Sequence, residues 1–468
     1  MKKILLVNNH KSIFAYDRIL KIPNIGLGSI AANLENGLAD VKILDLIVAE
    51  KNPLKVFERV LIQYKPDIVG FSGMIFQYKE VKSLAEITKK INKNIITVFG
   101  GYCPTTNYKK ILESEDIKFF DYLIKGEGEK TFNLLVKSLS DGLDFSNDIH
   151  NIQGLSYKKN GNIYDSNIPE KNTNLDELKL PARDIRILNK GFHLFGYPAD
   201  AVETSRGCVF DCNFCSITSM YGRSLRNYSI ERVIQDLKIV KSRGAKAVFL
   251  SDDNITSDGK RYGHLCEAII DNGLNDLKYF VQASVRGIKQ NPDLPQKMVK
   301  AGMTWIYLGI ESVYDDGLAS MNKIKQFKNE DVEDIVKEIR KLGAIVLGGF
   351  VFGYPDDSKE SIIENFNYAK KIGVDIPIFS ILTPYPQTEI RTELLKNNFI
   401  TNIDDFSSYN GYDANIKTKY LTDKELFDLR NILDVKYTLF SGKTFRMIKK
   451  NPKFFIGLIP EYFSMWFK

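Results

Sequence analysis

The sequence predicts an α/β protein: an N-terminal doubly wound parallel sheet, then a six-stranded partial (β/α) barrel, then a helical C-terminal extension. Three observations predict it. Short apolar runs alternate with helix-period stretches up to about residue 140, the alternation is lost between roughly 141 and 198, and it resumes from Asp200 for six more strands. The divisions expected are 1–140, 141–198, 199–400 and 401–468.

In the first division the runs "KILLVN", "VKILDL", "DIVGFS", "IITVFG" and "DYLIKG" are apolar throughout, as strands buried on both faces are. Between them "PLKVFERVLIQY" and "KEVKSLAEITKKI" carry apolar residues at helical spacing. In the second, Asn, Asp, Ser and Gly accumulate, and "LSYKKNGNIYDS" reads as a hairpin about Asn160-Gly161. This stretch is expected to be a linker with a small hairpin.

The third division supplies "DAVETS", "AKAVFLSDD", "LKYFVQAS", "MTWIYLGIES", "GAIVLGGFVFG" and "VDIPIFSILTP" as strands with helices between them. Six such units in one run suggest a curved sheet whose ligands sit at the strands' C-terminal ends. The last stretch is helical and then aromatic and basic. Its end, "KKNPKFFIGLIPEYFSMWFK", suits either a peripheral membrane contact or a tail packed on the barrel, and Pro452 and Pro460 break any long amphipathic helix there.

At 468 residues, 44% hydrophobic and 26% charged, the chain has the composition of a soluble globular protein of two or three domains. "MKKILLVNNH" lacks a signal-peptide pattern, and the chain's most apolar inner stretch, Leu342 to Tyr354, is shorter than the roughly 18 residues a membrane span needs, so a cytoplasmic enzyme is expected. The net charge of +7 arises from 65 basic and 58 acidic residues spread along the chain. No basic stripe interleaves with aromatics, so nucleic acid is not expected as a partner.

Of five cysteines, three fall in "SRGCVFDCNFCS", as Cys208-x3-Cys212-x2-Cys215, on a loop just after the strand "DAVETS". A structural zinc takes four ligands, and no fourth Cys or His lies near. A 4Fe–4S cluster can be held by three thiolates, which leaves one iron open to bind something reactive.

That motif, after the first strand of a partial barrel, resembles the radical SAM superfamily. The resemblance implies that S-adenosylmethionine (SAM) chelates the open iron and is cleaved by electron transfer to methionine and a 5′-deoxyadenosyl radical. Phe214 matches the aromatic position that lies against the adenine. Further matches are "SDDN" at 251–254, "ASVR" at 283–286, "GIES" at 309–312, "GGFVFGYP" at 348–355 and "TPYP" at 383–386. They offer Asp253, Arg286, Glu311 and Gly349 as SAM-binding residues: Glu311 can accept hydrogen bonds from ribose hydroxyls or the ammonium, and Arg286 can pair with a carboxylate. Gly348 and Gly349 would let backbone approach the ligand. "TPYPQT" departs from the related pattern, which has glycine where this chain has Gln387.

In the first division, "SGM" at 72–74, "GGYCPTT" at 100–106 and "GEGE" at 126–129 follow strands. Each alone reads as a plain turn. Together, and followed by such a barrel, they resemble the cobalamin-binding domain of the class that joins the two, with Ser72, Gly73, Gly100, Gly101, Gly126 and Glu127 as candidate contacts. "IPNIGLGSIAANLENG" and "PARD" look like the same class. Domains that supply a histidine to cobalt usually carry D-x-H-x-x-G; here the region reads "NNHKSI", so His10 lacks both the Asp and the Gly, and cobalamin without a lower histidine is expected. Cys103 either faces the corrin or is a buried core thiol, and Cys266 is expected in the core.

The resemblance implies a 4Fe–4S cluster, SAM and cobalamin as cofactors, and a C-methyltransferase in which one SAM yields the radical and a second supplies the methyl group. The alternative is a radical cyclase, a ring-contracting enzyme or another C–H functionalising oxidoreductase on the same scaffold. A methylthiotransferase needs about three more cysteines in the N-terminal half, where only Cys103 lies. A non-catalytic iron-sulfur or cobalamin sensor is the reading from another class. The partners expected are a small-molecule substrate, such as a lipid, isoprenoid or natural-product intermediate, and an electron donor such as flavodoxin or ferredoxin.

Overall fold

In a computed structural model, residues 1–11, 19–49, 51–140, 151–314, 317–318, 321–322 and 328–440 are described, together with 442, 446, 449 and 452. The chain falls into two compact units, Met1–Asp17 with Lys21–Phe192, and Arg18–Leu20 with His193–Lys468.

The strands in chain order are β1 (Lys2–Asn8), β2 (Leu20–Lys21), β3 (Ala39–Asp45), β4 (Ile68–Ser72), β5 (Ile96–Gly100), β6 (Tyr122–Ile124), β7 (Leu155–Lys159) and β8 (Asn162–Asp165). All but β2 form the first unit's sheet, in the order β3-β1-β4-β5-β6-β7-β8. The parallel part runs from β3 to β6, as the apolar runs predict. Ile4, Leu6, Ile43, Ile68 and Val98 from these strands share one core with Phe132, Leu135 and Val136 of the helix Gly128–Ser140. Helix starts follow ordinary capping: Asn52 accepts from Lys55 N at 3.2 Å ahead of Pro53.

The hairpin about Asn160-Gly161 forms, with both residues at positive φ, 52° and 83°. It does more than link. β7 pairs antiparallel with β6, so the hairpin lengthens the parallel sheet by two antiparallel strands. The Tyr157 and Tyr164 rings stack across it, with centroids 4.9 Å apart. The buried Lys125 ammonium binds Asp165 and the Ser166 carbonyl, and lies 4.1 Å over the Tyr108 ring. A buried lysine with that pairing staples the hairpin to the sheet edge.

The second unit adds β9 (His193–Leu194), β10 (Tyr197–Val202), β11 (Ser205–Arg206), β12 (Arg226–Asn227), β13 (Ala247–Leu250), β14 (Lys278–Ser284), β15 (Met303–Glu311), β16 (Ile345–Phe352) and β17 (Ile376–Ile381). Its main sheet has the order β17-β16-β15-β14-β13-β10-β9-β2. The six strands from β10 to β17 in that order are parallel, as predicted, and β9 adds antiparallel at the β10 edge. A separate ladder pairs β11 with β12 and brackets the cysteine segment.

The helix Asp423–Phe440 packs on this sheet. Tyr437 donates to the carbonyls of Val374 at 2.7 Å and Ala369 at 3.2 Å, and Arg430 donates to that of Phe379 at 2.8 Å. Beyond it Arg446 binds the buried Asp375 carboxylate at 2.7 and 2.9 Å. Residues 453–468, and with them both readings of the aromatic tail, lie outside the described residues. No helix among the described residues is long and apolar enough to cross a membrane.

Candidate active site and cofactor loops

β10 ends at Val202, and the chain turns over the rim of the sheet through Thr204 and β11 to Cys208. What holds this turn is the loop that follows β13. Asp252, fully buried, accepts from Thr204 N at 3.2 Å, from the Thr204 hydroxyl at 2.7 Å and from the Ser205 hydroxyl. Asp253 accepts from Gly207 N at 3.1 Å. Gly207 has φ 89°, and a Cβ there would run into the Ser224 carbonyl. Arg261 adds donations to the carbonyls of Thr204 at 3.0 Å and Tyr228 at 2.7 Å. The cysteine loop is thus hung on a buried polar lattice.

Cys208, Cys212 and Cys215 are half-buried and not joined by disulfides. Cys215 N donates to Cys212 O at 3.1 Å, closing the x2 turn. Burial, then the Cys212 and Cys208 sulfurs and Asp253, push the Cys215 thiol up to about 12, against a hydrogen bond from Ile217 N. Burial likewise lifts Asp252 and Asp253 to about 6, with their hydrogen bonds opposing it. Among the described residues no three His, Cys, Asp or Glu converge as a single metal ion requires. A cluster asks for less convergence, because each thiolate takes a different iron, and a donor set of three thiols on one loop fits it.

The other predicted strand ends meet this loop in part. The Arg286 guanidinium lies 5.4 Å over the ring of Phe210, inside the cysteine segment. Phe214 is half-buried in the same loop. Glu311, 7% exposed, stands at φ 70° where the β15–β16 register shifts between Gly309 and Glu311. A left-handed conformation costs a non-glycine residue roughly 1–2 kcal/mol, and such strain gathers at ligand sites. Gly349 differs from expectation in what it makes room for: a Cβ there would collide with the Tyr307 hydroxyl, so its open side is filled by a side chain of the neighbouring strand.

Gln387 also has positive φ, 65°, which explains why the related pattern has glycine there. Its loop reaches the cysteine segment, with Ile390 N donating to Asn213 O at 3.2 Å. Tyr354, in the "FGYP" loop after β16, was not singled out from the sequence. Its buried hydroxyl has no hydrogen-bond partner, and burial, then Glu311 and Cys212, push the phenol well above its usual range. An orphaned buried hydroxyl beside those groups suits a ligand contact; its quoted motif was the only sequence signal.

In the first unit the predicted glycines come together through their backbones. Gly73 N donates to Gly100 O at 3.4 Å, and Cys103 N to Gly73 O at 2.9 Å. Gly101 has φ 92°, and a Cβ there would sit 3.0 Å from Ser72 Oγ and 3.3 Å from Gly73 N. Gly126, at φ 74°, donates to Thr105 Oγ1 at 2.9 Å from the next loop, with Glu127 following it. A Cβ at Gly73 would press on Val81 and Phe99, at Gly101 on Ser72, and at Gly126 on Ile168, so these glycines let the three loops pack closely on the protein itself. That leaves a cradle of backbone at the strand ends, which suits a bulky planar group such as a corrin.

Beneath it lies a polar network that sequence reading missed. Asn8 donates to the buried Asp45 at 2.8 Å, Asn24 N donates to the same carboxylate at 2.9 Å, and the Asn24 amide reaches Asn8 Oδ1 at 3.4 Å and Ser72 Oγ at 3.5 Å. Burial raises the Asp45 pKa. The only signal was polar residues closing apolar strands.

"IGLGS" and "PARD" meet as well: Ala182 N donates to Gly28 O at 3.0 Å, and a Cβ on Gly28 would lie 3.2 Å from Pro181 Cβ. His10 Nδ1 is buried without a partner, and burial lowers the ring's pKa. Cys103 is wholly buried at the start of the helix Tyr102–Glu113, and burial raises its pKa; Cys266 is also core, lifted to about 12.

Residues 18–136 match the B12 binding domain family and residues 202–369 the radical SAM superfamily. An uncharacterized methyltransferase of Pyrococcus horikoshii is 31% identical, over 87% of this chain and 86% of its own. The chain belongs to the cobalamin-binding class of the radical SAM superfamily. The hopanoid C-3 methylase of Methylococcus capsulatus is 28% identical, over 81% of this chain and 70% of its own. Among solved structures, the radical S-adenosylmethionine methyltransferase TsrM of Kitasatospora setae, with cobalamin and an iron-sulfur cluster bound, shares the fold. Its TM-score is 0.69 at 18% identity, over 85% of this chain and 78% of the other. The radical SAM protein is an enzyme whose family cofactors are a 4Fe–4S cluster, SAM and cobalamin.

Proposed function

We propose that this radical SAM enzyme transfers a methyl group to an unactivated carbon of a small molecule. The observation that carries the reading is the pairing of a three-thiol loop, clamped by the Asp252 and Asp253 carboxylates, with a cradle of glycine backbone in the same chain. When bound, the cluster supplies the electron that cleaves SAM and cobalamin carries the methyl group.

The chain's own residues bind, orient and exclude water. Cys208, Cys212 and Cys215 hold the cluster, and Asp252 and Asp253 fix their loop. Phe214 would lie against the adenine, Glu311 and Arg286 would take the polar groups of SAM, and the Tyr354 hydroxyl would donate to the same ligand. Asp253 and Gly349 act through the walls of that site, on Gly207 and Tyr307. Ser72, Gly73, Gly100, Gly101, Gly126 and Glu127 would lie against the corrin.

The electron comes from a one-electron donor of the flavodoxin or ferredoxin type, in the cytoplasm. The hopanoid relative and the aromatic, basic tail make an isoprenoid lipid, reached at a membrane surface, the first acceptor class to try.

Methylation consumes two SAM molecules, one yielding methionine and 5′-deoxyadenosine, the other S-adenosylhomocysteine. The test is product analysis of the reconstituted full chain with SAM, dithionite and an isoprenoid panel. Both nucleoside products, with cobalamin-dependent S-adenosylhomocysteine, support methyl transfer. 5′-Deoxyadenosine with no S-adenosylhomocysteine from a turned-over acceptor would replace it with the cyclase reading.

A further inference from the structure

The turn that follows the two clamping aspartates aims two polar side chains at one cysteine sulfur. Asn254 is 7% exposed and caps the short turn Ile255–Asp258. Its Oδ1 accepts from Thr256 N at 3.2 Å and from Thr256 Oγ1 at 2.9 Å. An amide oxygen held by two donors leaves the amide nitrogen only the opposite side, and there Nδ2 faces Cys208 Sγ at 3.9 Å. The Ser257 hydroxyl lies 3.8 Å from the same sulfur.

This orientation is built in from below. Thr256 Oγ1 accepts from Ser284 N at 2.9 Å, and the backbone of Gly287 packs on Thr256 so closely that no Cβ would fit between them. The donors therefore sit on a turn fixed from β14, the same turn whose preceding residues hold the cysteine loop.

We propose that Asn254 and Ser257 are positioning residues for the cluster, donating hydrogen bonds to the Cys208 thiolate and raising the cluster's reduction potential. This rests on Cys208 being a cluster ligand. A thiolate can only accept, so both groups must donate to it. Negative charge on the ligating sulfur grows when one electron, here from dithionite, enters the cluster. A hydrogen bond to that sulfur is then stronger in the reduced state than in the oxidised one, and reduction becomes easier. Cleavage of SAM needs that electron, so the pair would set how strong a reductant the enzyme demands.

The test is a redox titration of the reconstituted full chain, read by the electron paramagnetic resonance of the reduced cluster, with iron analysis. Asn254→Leu keeps much of the volume and removes the donor. It should retain about four irons, while the ratio of reduced to oxidised cluster at the wild-type midpoint falls roughly tenfold, a shift of about 59 mV to lower potential for one electron. Ser257→Ala should shift the same way by less. If Asn254→Leu fails to load iron, Ser257→Ala decides.

Midpoints equal to wild type in the variants that load iron overturn the proposal. Cys208→Ala, run beside them, separates the two claims. Loss of the cluster there with unshifted midpoints in the other variants leaves the ligand assignment standing and removes this inference alone. A four-iron cluster retained in Cys208→Ala removes both.

Discussion

At the end of β13, the buried Asp252 and Asn254 and the half-buried Asp253 reach with their side chains to Thr204, Ser205, Gly207 and Cys208. At the ends of β4, β5 and β6, the matching positions are Ser72, Gly73, Gly100, Gly101 and Gly126, where backbone groups make the contacts. On the proposed reading the two regions serve different ligands. A small, charged cluster and a zwitterionic cosubstrate need charges placed to within a fraction of an ångström, which a satisfied polar lattice supplies. A broad planar corrin needs backbone close to it over a wide area, which glycines at positive φ allow. The difference also predicts how each region fails: the rim through lost chemistry, the cradle through displaced backbone.

The sharpest break is Cys212→Ala. It should abolish the cluster's visible absorbance and all 5′-deoxyadenosine formation while cobalt retention stays at the wild-type level, since the substitution leaves the loops after β4, β5 and β6 unchanged. Loss of cobalt in the same variant would show the two regions to be one unit.

Asp252→Asn probes the buried lattice. Its carboxyl is lifted by burial from 3.8 to about 6, so the folded state holds the proton more tightly than the unfolded one. That stabilising contribution is fully present below about pH 3.8 and is lost as pH rises through about 6. The amide variant mimics the protonated form. Its thermal stability should match wild type near pH 4 and exceed it by up to about 3 kcal/mol above pH 7, less whatever the altered hydrogen bonds cost. A stability difference that does not change with pH would contradict the buried-carboxylate account.

In the cradle, Gly101→Val meets both a positive φ and the Ser72 hydroxyl. The loop must shift to relieve this, and a cost of about 1.4 kcal/mol for forcing it back in the bound state alone would weaken cobalamin retention roughly tenfold, while SAM cleavage persists. Equal cobalt content on gel filtration would refute the cradle. The smallest effect is expected at the loop after β17. Gln387→Gly should relieve the left-handed conformation and stabilise the chain by about 1 kcal/mol, read as a small rise in Tm.

How much of this was legible in the sequence differs between the regions for physical reasons. The apolar runs of β1, β4, β5, β14, β15 and β16 announce strands because both faces are buried, and Cys208-x3-Cys212-x2-Cys215 announces a cluster because thiols at that spacing have few other uses. The pairing of β7 with β6 was hidden, since local pattern sets a hairpin but not which edge it joins. "SDDN" gave no sign that its side chains reach the cysteine loop across a gap of more than 40 positions in the chain. Gln387 stood out as a departure, and only its φ of 65° gives the reason. Asn8, Asn24 and Asp45 form a network whose members look ordinary one at a time.

The central claim, that one chain holds both cofactors through these two regions, is tested most directly by anaerobic reconstitution with iron, sulfide and hydroxocobalamin, followed by desalting and metal analysis. The account predicts about four irons and one cobalt retained per chain. Four irons with no cobalt, or cobalt with no cluster, would contradict it.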